Sequence, residues 1–413
     1  MPQRSKQRVL SLDGGGTWSI VQVEALAHLY TPETRGHRIL QDFDYAVANS
    51  GGSIVLGGLL LNASLREIQQ KFDDLRVRTA LFSTVSPWLG GAWFRLFRRV
   101  AGGPRFSTAE KRIHLLKIFD EFAYANGIRS QALADLAAAV GGNFQFTIIG
   151  YDYRRDRAKY FRSNAQSAAA NPSRTPPAPG LPGTPDLIDA VHASSTAPVH
   201  FFDRAAESFN PRLKDELFWD GAVTGQNNPV VSGVIEALAN GAERDSIVVL
   251  AIGTGGNALP PALVRDPAWQ IENHVKRASA EIGKLGRAVI GDPPDHASFV
   301  AHMMLTGRLP QHGGARNDSP IVRISPLVGP YPSPDGGITW PWPEGLQPPE
   351  RRRIIDLDMA AVSPEDFGMV QQLATDWING RIRNQPIRMG SDLVCDLGDE
   401  TFGEAVARWK AIS

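Results

Sequence analysis

Apolar positions along the chain gather into short runs of two kinds. Arg8–Leu12, Phe43–Ala48, Phe144–Tyr151 and Ser246–Ile252 are compact runs of strand length, closed by glycine or polar clusters. Ile20–Tyr30, Ser53–Leu61, Leu65–Leu75 and Asp186–Ser194 instead repeat their apolar residues with helical spacing. The two kinds alternate. Alternation of this sort predicts an α/β fold, with a mostly parallel central sheet covered by helices on both faces.

Two stretches interrupt the pattern. Ala169–Pro185 is dense in Pro, Gly and small residues and reads as a loop inside one fold. A second Pro/Gly-rich stretch, Pro326–Gly345, precedes a helical C-terminal part. The expected organisation is a catalytic domain over 1–330 and a helical extension over 331–413 packed on it. No internal repeat is present.

Composition narrows the classes. The 413 residues are 42% hydrophobic and 21% charged, enough for a large core, and 43 basic residues balance 43 acidic ones. There is therefore no global basic field for DNA or RNA. One cysteine, Cys395, excludes an internal disulfide framework. The first residues lack a long apolar segment, and the longest apolar runs, such as Ile54–Leu61, are well short of the roughly 18 residues a spanning helix needs. The expectation is a cytoplasmic protein. Asp13 and the pair Asp292/Asp295 are too sparse for a dedicated cation site, so no metal or other cofactor is implied.

Three motifs carry chemistry. The first is Asp13-Gly14-Gly15-Gly16, between a strand and a helix; successive glycines can present backbone N–H groups to a ligand. Neither the spacing of a P-loop nor that of a dinucleotide fingerprint is met. The second is Ala48-Asn49-Ser50-Gly51-Gly52, where a strand bends into a helix. Small residues flank Ser50 on both sides, as a serine on a sharp turn requires, and the helix start favours negative charge. Ordinary turn chemistry fits the same pattern. Ser53 competes less well, since Val55 stands two positions after it. The third is Trp219-Asp220-Gly221-Ala222, ahead of Asn227-Asn228-Pro229.

In this order the motifs resemble those of the patatin-like phospholipase family. Ala193–Pro198 followed by Val199-His200-Phe201-Phe202, the run Val249–Gly255, and more loosely Leu357–Ala360, add to the likeness. The resemblance covers residues 8 to about 256 and implies a three-layer α/β/α patatin-like fold. It implies Ser50 as nucleophile, Asp220 as its partner in a dyad, and an oxyanion hole made by Gly14, Gly15, Gly16 and Gly51. The implied activity is hydrolysis of membrane phospholipid acyl esters, without a histidine. Four family positions differ: Trp18 stands where a basic residue is usual, Ser19 where a glycine is, Ala48 in place of the first glycine of the serine turn, and Ser53 where another small residue is frequent. Those changes keep open a second reading, a weak or inactive scaffold serving as sensor or assembly protein. A Ser-His-Asp hydrolase is disfavoured, because His274, His296, His302 and His312 sit in no recognisable turn after a strand.

A phospholipid substrate implies peripheral contact with the inner membrane. Leu81–Arg99 combines Trp88, Trp93, Phe94 and Phe97 with Arg95, Arg98 and Arg99. It reads as an interfacial segment, a core helix with a basic edge, or a contact in a homo-oligomer. Some bacterial members of the family are antiphage effectors switched on by a cyclic di- or trinucleotide. Lys276, Arg277, Lys284, Arg287 and Arg351–Arg353 are the basic residues such an activator would meet.

Overall fold

The computed structural model describes residues 6–85, 103–164, 186–208, 216–256, 296–309, 319–332, 338–342, 348–385, 387 and 397–413. At its centre lies a sheet built from β1 (Gln7–Leu12), β2 (Tyr45–Asn49), β3 (Gln145–Asp152), β4 (Arg157–Arg162), β5 (Ala206–Glu207), β6 (Leu217–Asp220), β7 (Ile247–Ile252) and β8 (Ile321–Ile324). The order is β5-β6-β3-β2-β1-β7-β8, with β4 also on β3. β1 pairs in parallel with β2 and β7, as do β2 with β3 and β7 with β8. The pairings of β3 with β4 and β6, and of β5 with β6, are antiparallel.

Side chains on these strands alternate between two cores. Leu10, Leu12, Ala46, Ala48, Leu250 and Ile252 join one cluster, while Val9, Tyr45, Val249 and Ala251 join another with Val230 and Val234 of the helix Val230–Ala239. Strand periodicity thus delivers alternate residues to opposite faces, and helices cover both. The layers are α/β/α, as expected.

Most predicted elements keep their type and shift at their ends. The helix expected over Ser53–Leu61 spans Ser50–Leu60, so Ser50 is its first residue. The helix expected over Leu65–Leu75 divides into Leu65–Asp73 and Leu75–Leu81, because Asp74 leaves helical geometry and its carboxylate accepts the Arg76 N–H at 2.8 Å. The polar run Tyr151–Arg157 ends β3, turns at residues 153–156 and begins β4. Within it Asp152 accepts the N–H groups of Arg154 and Arg155 and has a purely local partner set.

The C-terminal helices belong to the same core. Trp377, Phe402 and Trp409 join the cluster that holds Leu10 and Leu12, and Trp409 stacks on Phe43 at 5.8 Å. Arg408, in the helix Phe402–Ile412, donates to the carbonyls of Ser319 at 2.7 Å and Ile321 at 2.9 Å. Those carbonyls border β8, the last strand of the sheet among the described residues, so a guanidinium satisfies edge groups that no described strand pairs. Among the described residues no helix is long and apolar enough to cross a membrane.

Candidate active site

One edge of β3 explains how two distant motifs meet. β4 runs along β3 from Thr147 to Asp152, so the other edge must serve both β2 and β6. There β2 pairs up to Asn49↔Ile149 and ends, and β6 begins at the next position with Asp220↔Gly150. The end of β2 therefore faces the end of β6. Ser50 and Asp220 follow from that register, 170 residues apart in sequence but side by side in space.

Ser50 has φ 49°, in the left-handed region that costs a non-glycine residue energy. Its N–H donates to Ser194 Oγ at 2.8 Å, which holds the turn. The side chain is almost fully buried, and its hydroxyl is near enough to Asp220 to lower that carboxyl's pKa. Asp220 is equally buried. Its Oδ1 accepts Asn49 Nδ2 at 3.1 Å and the Ala222 N–H at 2.9 Å, and its own N–H donates to the Thr196 carbonyl at 2.8 Å. Burial raises the carboxyl pKa above its ordinary value, against the Ser50, Ala222 and Asn49 hydrogen bonds and the Lys111 charge, which lower it.

The glycine loop lies against this turn. A Cβ on Gly14 would stand 2.9 Å from Ser50 Cβ, and one on Gly51 would stand 2.6 Å from the Gly16 carbonyl oxygen. Gly52 is small for a reason other than its spacing to Ala48: a Cβ there would meet the carbonyl oxygens of Asp13 at 2.5 Å and Leu12 at 2.6 Å. So Gly14, Gly16 and Gly51 lie close to Ser50, whereas a Cβ on Gly15 would meet the Thr254 side chain. Their N–H groups are not equivalent, since Gly14 donates its own to the Asn227 carbonyl at 2.8 Å. Asn227 comes from the Asn-Asn-Pro that follows Asp220.

Side chains far along the sequence brace the loop. Arg323 of β8 forms a buried bidentate pair with Asp13, at 2.9 and 2.6 Å. Thr17 donates its N–H and its hydroxyl to the Met359 carbonyl, at 2.9 and 3.0 Å. Trp18 is buried and donates its indole N–H to the Asp358 carbonyl at 3.2 Å. At the position where the family usually has a basic residue, this chain has a structural anchor for residues 358–359.

Ser50, Gly51, Gly16 and Thr17 border a cavity whose wall is largely apolar, with Ile54, Ile68, Phe119, Phe122 and Phe202 among its residues. The charged residues on that lining are Lys71, Arg78 and Lys111, all basic. Sequence reasoning gave no role to Asn49, Ser194 and Thr196, although they lie inside the serine-turn and Ala193–Pro198 motifs, and it missed Lys111 and Arg323, which stand in no motif; only a helical pattern over Thr108–Ala125 could have flagged Lys111. Other candidates lie outside the described residues: Trp88, Trp93, Phe94, Phe97, Arg95, Arg98, Arg99, Lys276, Arg277, Lys284, Arg287, His274, His312, Asp292, Asp295 and Cys395. Arg353 is bound to Glu365 and Asp366, at 2.6 and 2.9 Å. His302 shares hydrogen bonds with Ser319 and Thr306.

The family model for patatin-like phospholipase matches residues 10–233, which is 224 of 413 and more than half of the chain. The chain belongs to that family. An intracellular phospholipase A2 of Caenorhabditis elegans is 32% identical over 85 residues, a stretch that is 21% of this chain and 8% of that protein. The chain thus matches only a small part of that relative. Among solved structures, VipD from Legionella pneumophila is 11% identical, with a TM-score of 0.33 over 90% of this chain and 67% of that one. Human GIVD cytosolic phospholipase A2 is 12% identical, with a TM-score of 0.32 over 90% of this chain and 58% of that one. The type III effector ExoU is 14% identical, with a TM-score of 0.26 over 71% and 53%. Membership in the patatin-like family accounts for the three-layer fold and for the order of the glycine loop, the serine turn and the aspartate.

Proposed function

We propose that this protein is a serine acyl hydrolase that cleaves acyl esters of membrane phospholipids through a Ser50–Asp220 dyad. The observation that carries the reading is the placement of buried Ser50, held at a left-handed strand-to-helix turn, next to the buried Asp220 carboxyl at the facing strand end, beside an apolar cavity. A hydroxyl needs an adjacent base to attack, and Asp220 is the carboxylate in reach. In the acylation step Asp220 takes the Ser50 proton as Oγ attacks the ester carbonyl. The tetrahedral anion is met by the N–H of Gly51 at the helix start and by those of Gly15 and Gly16. Gly14 is left out of that set, because its N–H is already given to Asn227. The proton then passes to the leaving lysolipid oxygen, the acyl chain stays on Ser50 Oγ, and water releases the fatty acid by the same path.

The apolar wall suits an acyl chain, and the basic residues around it suit an anionic lipid. Contact with the inner membrane would be peripheral. Cyclic-nucleotide activation and an antiphage role rest on the family resemblance alone, and they enter as arms of the assay.

The test is fatty-acid release from phosphatidylglycerol and phosphatidylethanolamine vesicles by wild type, Ser50→Ala and Asp220→Ala, each with and without cyclic di- and trinucleotides. Release by wild type and its loss in both variants is the expected result. Full activity of Ser50→Ala would overturn the assignment. Absence of release in every arm, with Ser50 unlabelled by a fluorophosphonate, would favour the scaffold reading.

A further inference from the structure

Lys111 is a buried cation on the helix Thr108–Ala125, and the dyad chemistry above gives it no part. It lines the same cavity as Ser50. Its Nζ donates to the His192 carbonyl at 3.2 Å, Ser195 Oγ at 3.1 Å and Thr196 Oγ1 at 2.5 Å. The two hydroxyls have already committed their own protons: Ser195 Oγ donates to the Val191 carbonyl and Thr196 Oγ1 to the His192 carbonyl, each at 2.6 Å. Both can therefore only accept from Lys111. Three acceptors require three N–H bonds, which an ammonium has and a neutral amine lacks.

The segment gripped by Lys111 is the one that aligns the dyad. Ser194 Oγ receives the Ser50 N–H, and the Thr196 carbonyl receives the Asp220 N–H. Ser194 Oγ also reaches Asn49 Oδ1 at 3.4 Å, and Asn49 in turn holds Asp220. A single side chain thus clamps residues 192–196, to which both members of the dyad are hydrogen-bonded.

We propose that Lys111 is a positioning residue of the reaction: its three hydrogen bonds lock residues 192–196 under Ser50 and Asp220. This rests on the Ser50–Asp220 reading. Lys111 is not itself the base, because its protons point to the 192–196 segment. Several charged or titratable groups surround the pair. Asp220 comes from β6, His192 and Asp189 from the helix Leu187–Ser194, and Arg112 from the same helix as Lys111. Arg78 and Lys71 come from the helices across the cavity. His192 is buried next to Lys111 and Arg112, and burial with those two charges holds it neutral, well below its ordinary pKa. Burial likewise pulls Lys111 down, and Asp220 is the charge that opposes this. Lys111 and Asp220 therefore support each other's ionised state.

The experiment measures, against pH, the rate of Ser50 labelling by a fluorophosphonate together with kcat and KM on a soluble short-chain ester. The proteins are wild type, Lys111→Met, Lys111→Arg and Ser50→Ala. For Lys111→Met the acid limb should move to higher pH, because Asp220 loses a charge that lowers its pKa. In the same variant kcat should fall on the order of 10²-fold, the scale of a misplaced reacting group, with KM little changed. Lys111→Arg keeps the charge in a planar shape that cannot reproduce the three-way grip. Its acid limb should stay at the wild-type position while kcat still falls. If Lys111→Met does not fold, Lys111→Arg decides: an unaltered kcat there overturns the proposal. A Lys111→Met limb that coincides with wild type, or a loss confined to KM, overturns it as well. Labelling or turnover that persists in Ser50→Ala would sink the dyad reading itself, a failure distinct from that of Lys111.

Discussion

Asn49 and Asp220 meet across the gap between two strand ends, with Asn49 Nδ2 donating to Asp220 Oδ1 at 3.1 Å. The amide is fully buried, so this is a hydrogen bond to a carboxylate from which water is excluded. Its removal leaves an acceptor short of a donor, at a cost of about 1–3 kcal/mol. Asn49→Ala is expected to lower the hydrolytic rate about tenfold to a hundredfold and to shift the acid limb to higher pH. The direction follows because a bond that lowers the Asp220 pKa is lost. A pH–rate profile on a soluble ester checks both.

Asp220 should also set a pH-dependent stability. Its folded pKa is raised, chiefly by burial, above that of the unfolded chain. Between the two values the folded state holds more protons, so this residue's contribution to stability falls as pH rises through the folded pKa. Asp220→Asn removes the ionisation and keeps an oxygen for the Ala222 N–H. It is expected to be inactive and yet to have a urea midpoint at pH 8 at or above that of wild type, with the gap closing at acid pH. A lower midpoint at pH 8 would contradict this.

Trp18→Arg restores the residue usual in the family and should harm the protein. The indole is buried, and its N–H supports the Asp358 carbonyl. A guanidinium placed there would be buried within the core cluster that holds Trp18 and would leave part of the indole's volume unfilled, and both effects destabilise. Trp18→Phe loses mainly one hydrogen bond, about 1 kcal/mol. Urea denaturation should rank wild type above Trp18→Phe and Trp18→Arg last.

Gly51→Ala should abolish labelling of Ser50. The added methyl would lie inside van der Waals distance of Ser19 Oγ and 2.6 Å from the Gly16 carbonyl oxygen. Ser19→Gly relieves the side-chain clash but not the backbone one, so the double variant should remain unlabelled. Recovery of labelling would show that the glycine loop can move.

Much of this site was legible because its parts are local. Asp13–Gly16, Ala48–Gly52 and Asp220–Ala222 are short turns, each written in adjacent small residues. Strands such as Ile247–Ile252 and helices such as Ile20–Leu29 were equally plain from apolar spacing. What stayed hidden depends on register and on distant partners. β6 is four residues long and carries no strong periodic signal, yet its pairing with β3 delivers Asp220. Nothing near Arg323 announces a tie to Asp13, and nothing near Lys111 announces a grip on Ser195 and Thr196. Ser50 as first residue of its helix was missed because serine and two glycines read as turn rather than helix.

The braces on the glycine loop also order events in time. Synthesis proceeds from the N-terminus, so Ser50 and Asp220 leave the ribosome before Arg323 and Met359. A chain interrupted between Asp220 and Arg323 would carry both reacting side chains, but Asp13 would lack its buried counter-ion and Thr17 its carbonyl partner. The donors meant for the anion would then have no fixed place. An incomplete product of translation would therefore carry Ser50 and Asp220 beside a glycine loop without its braces.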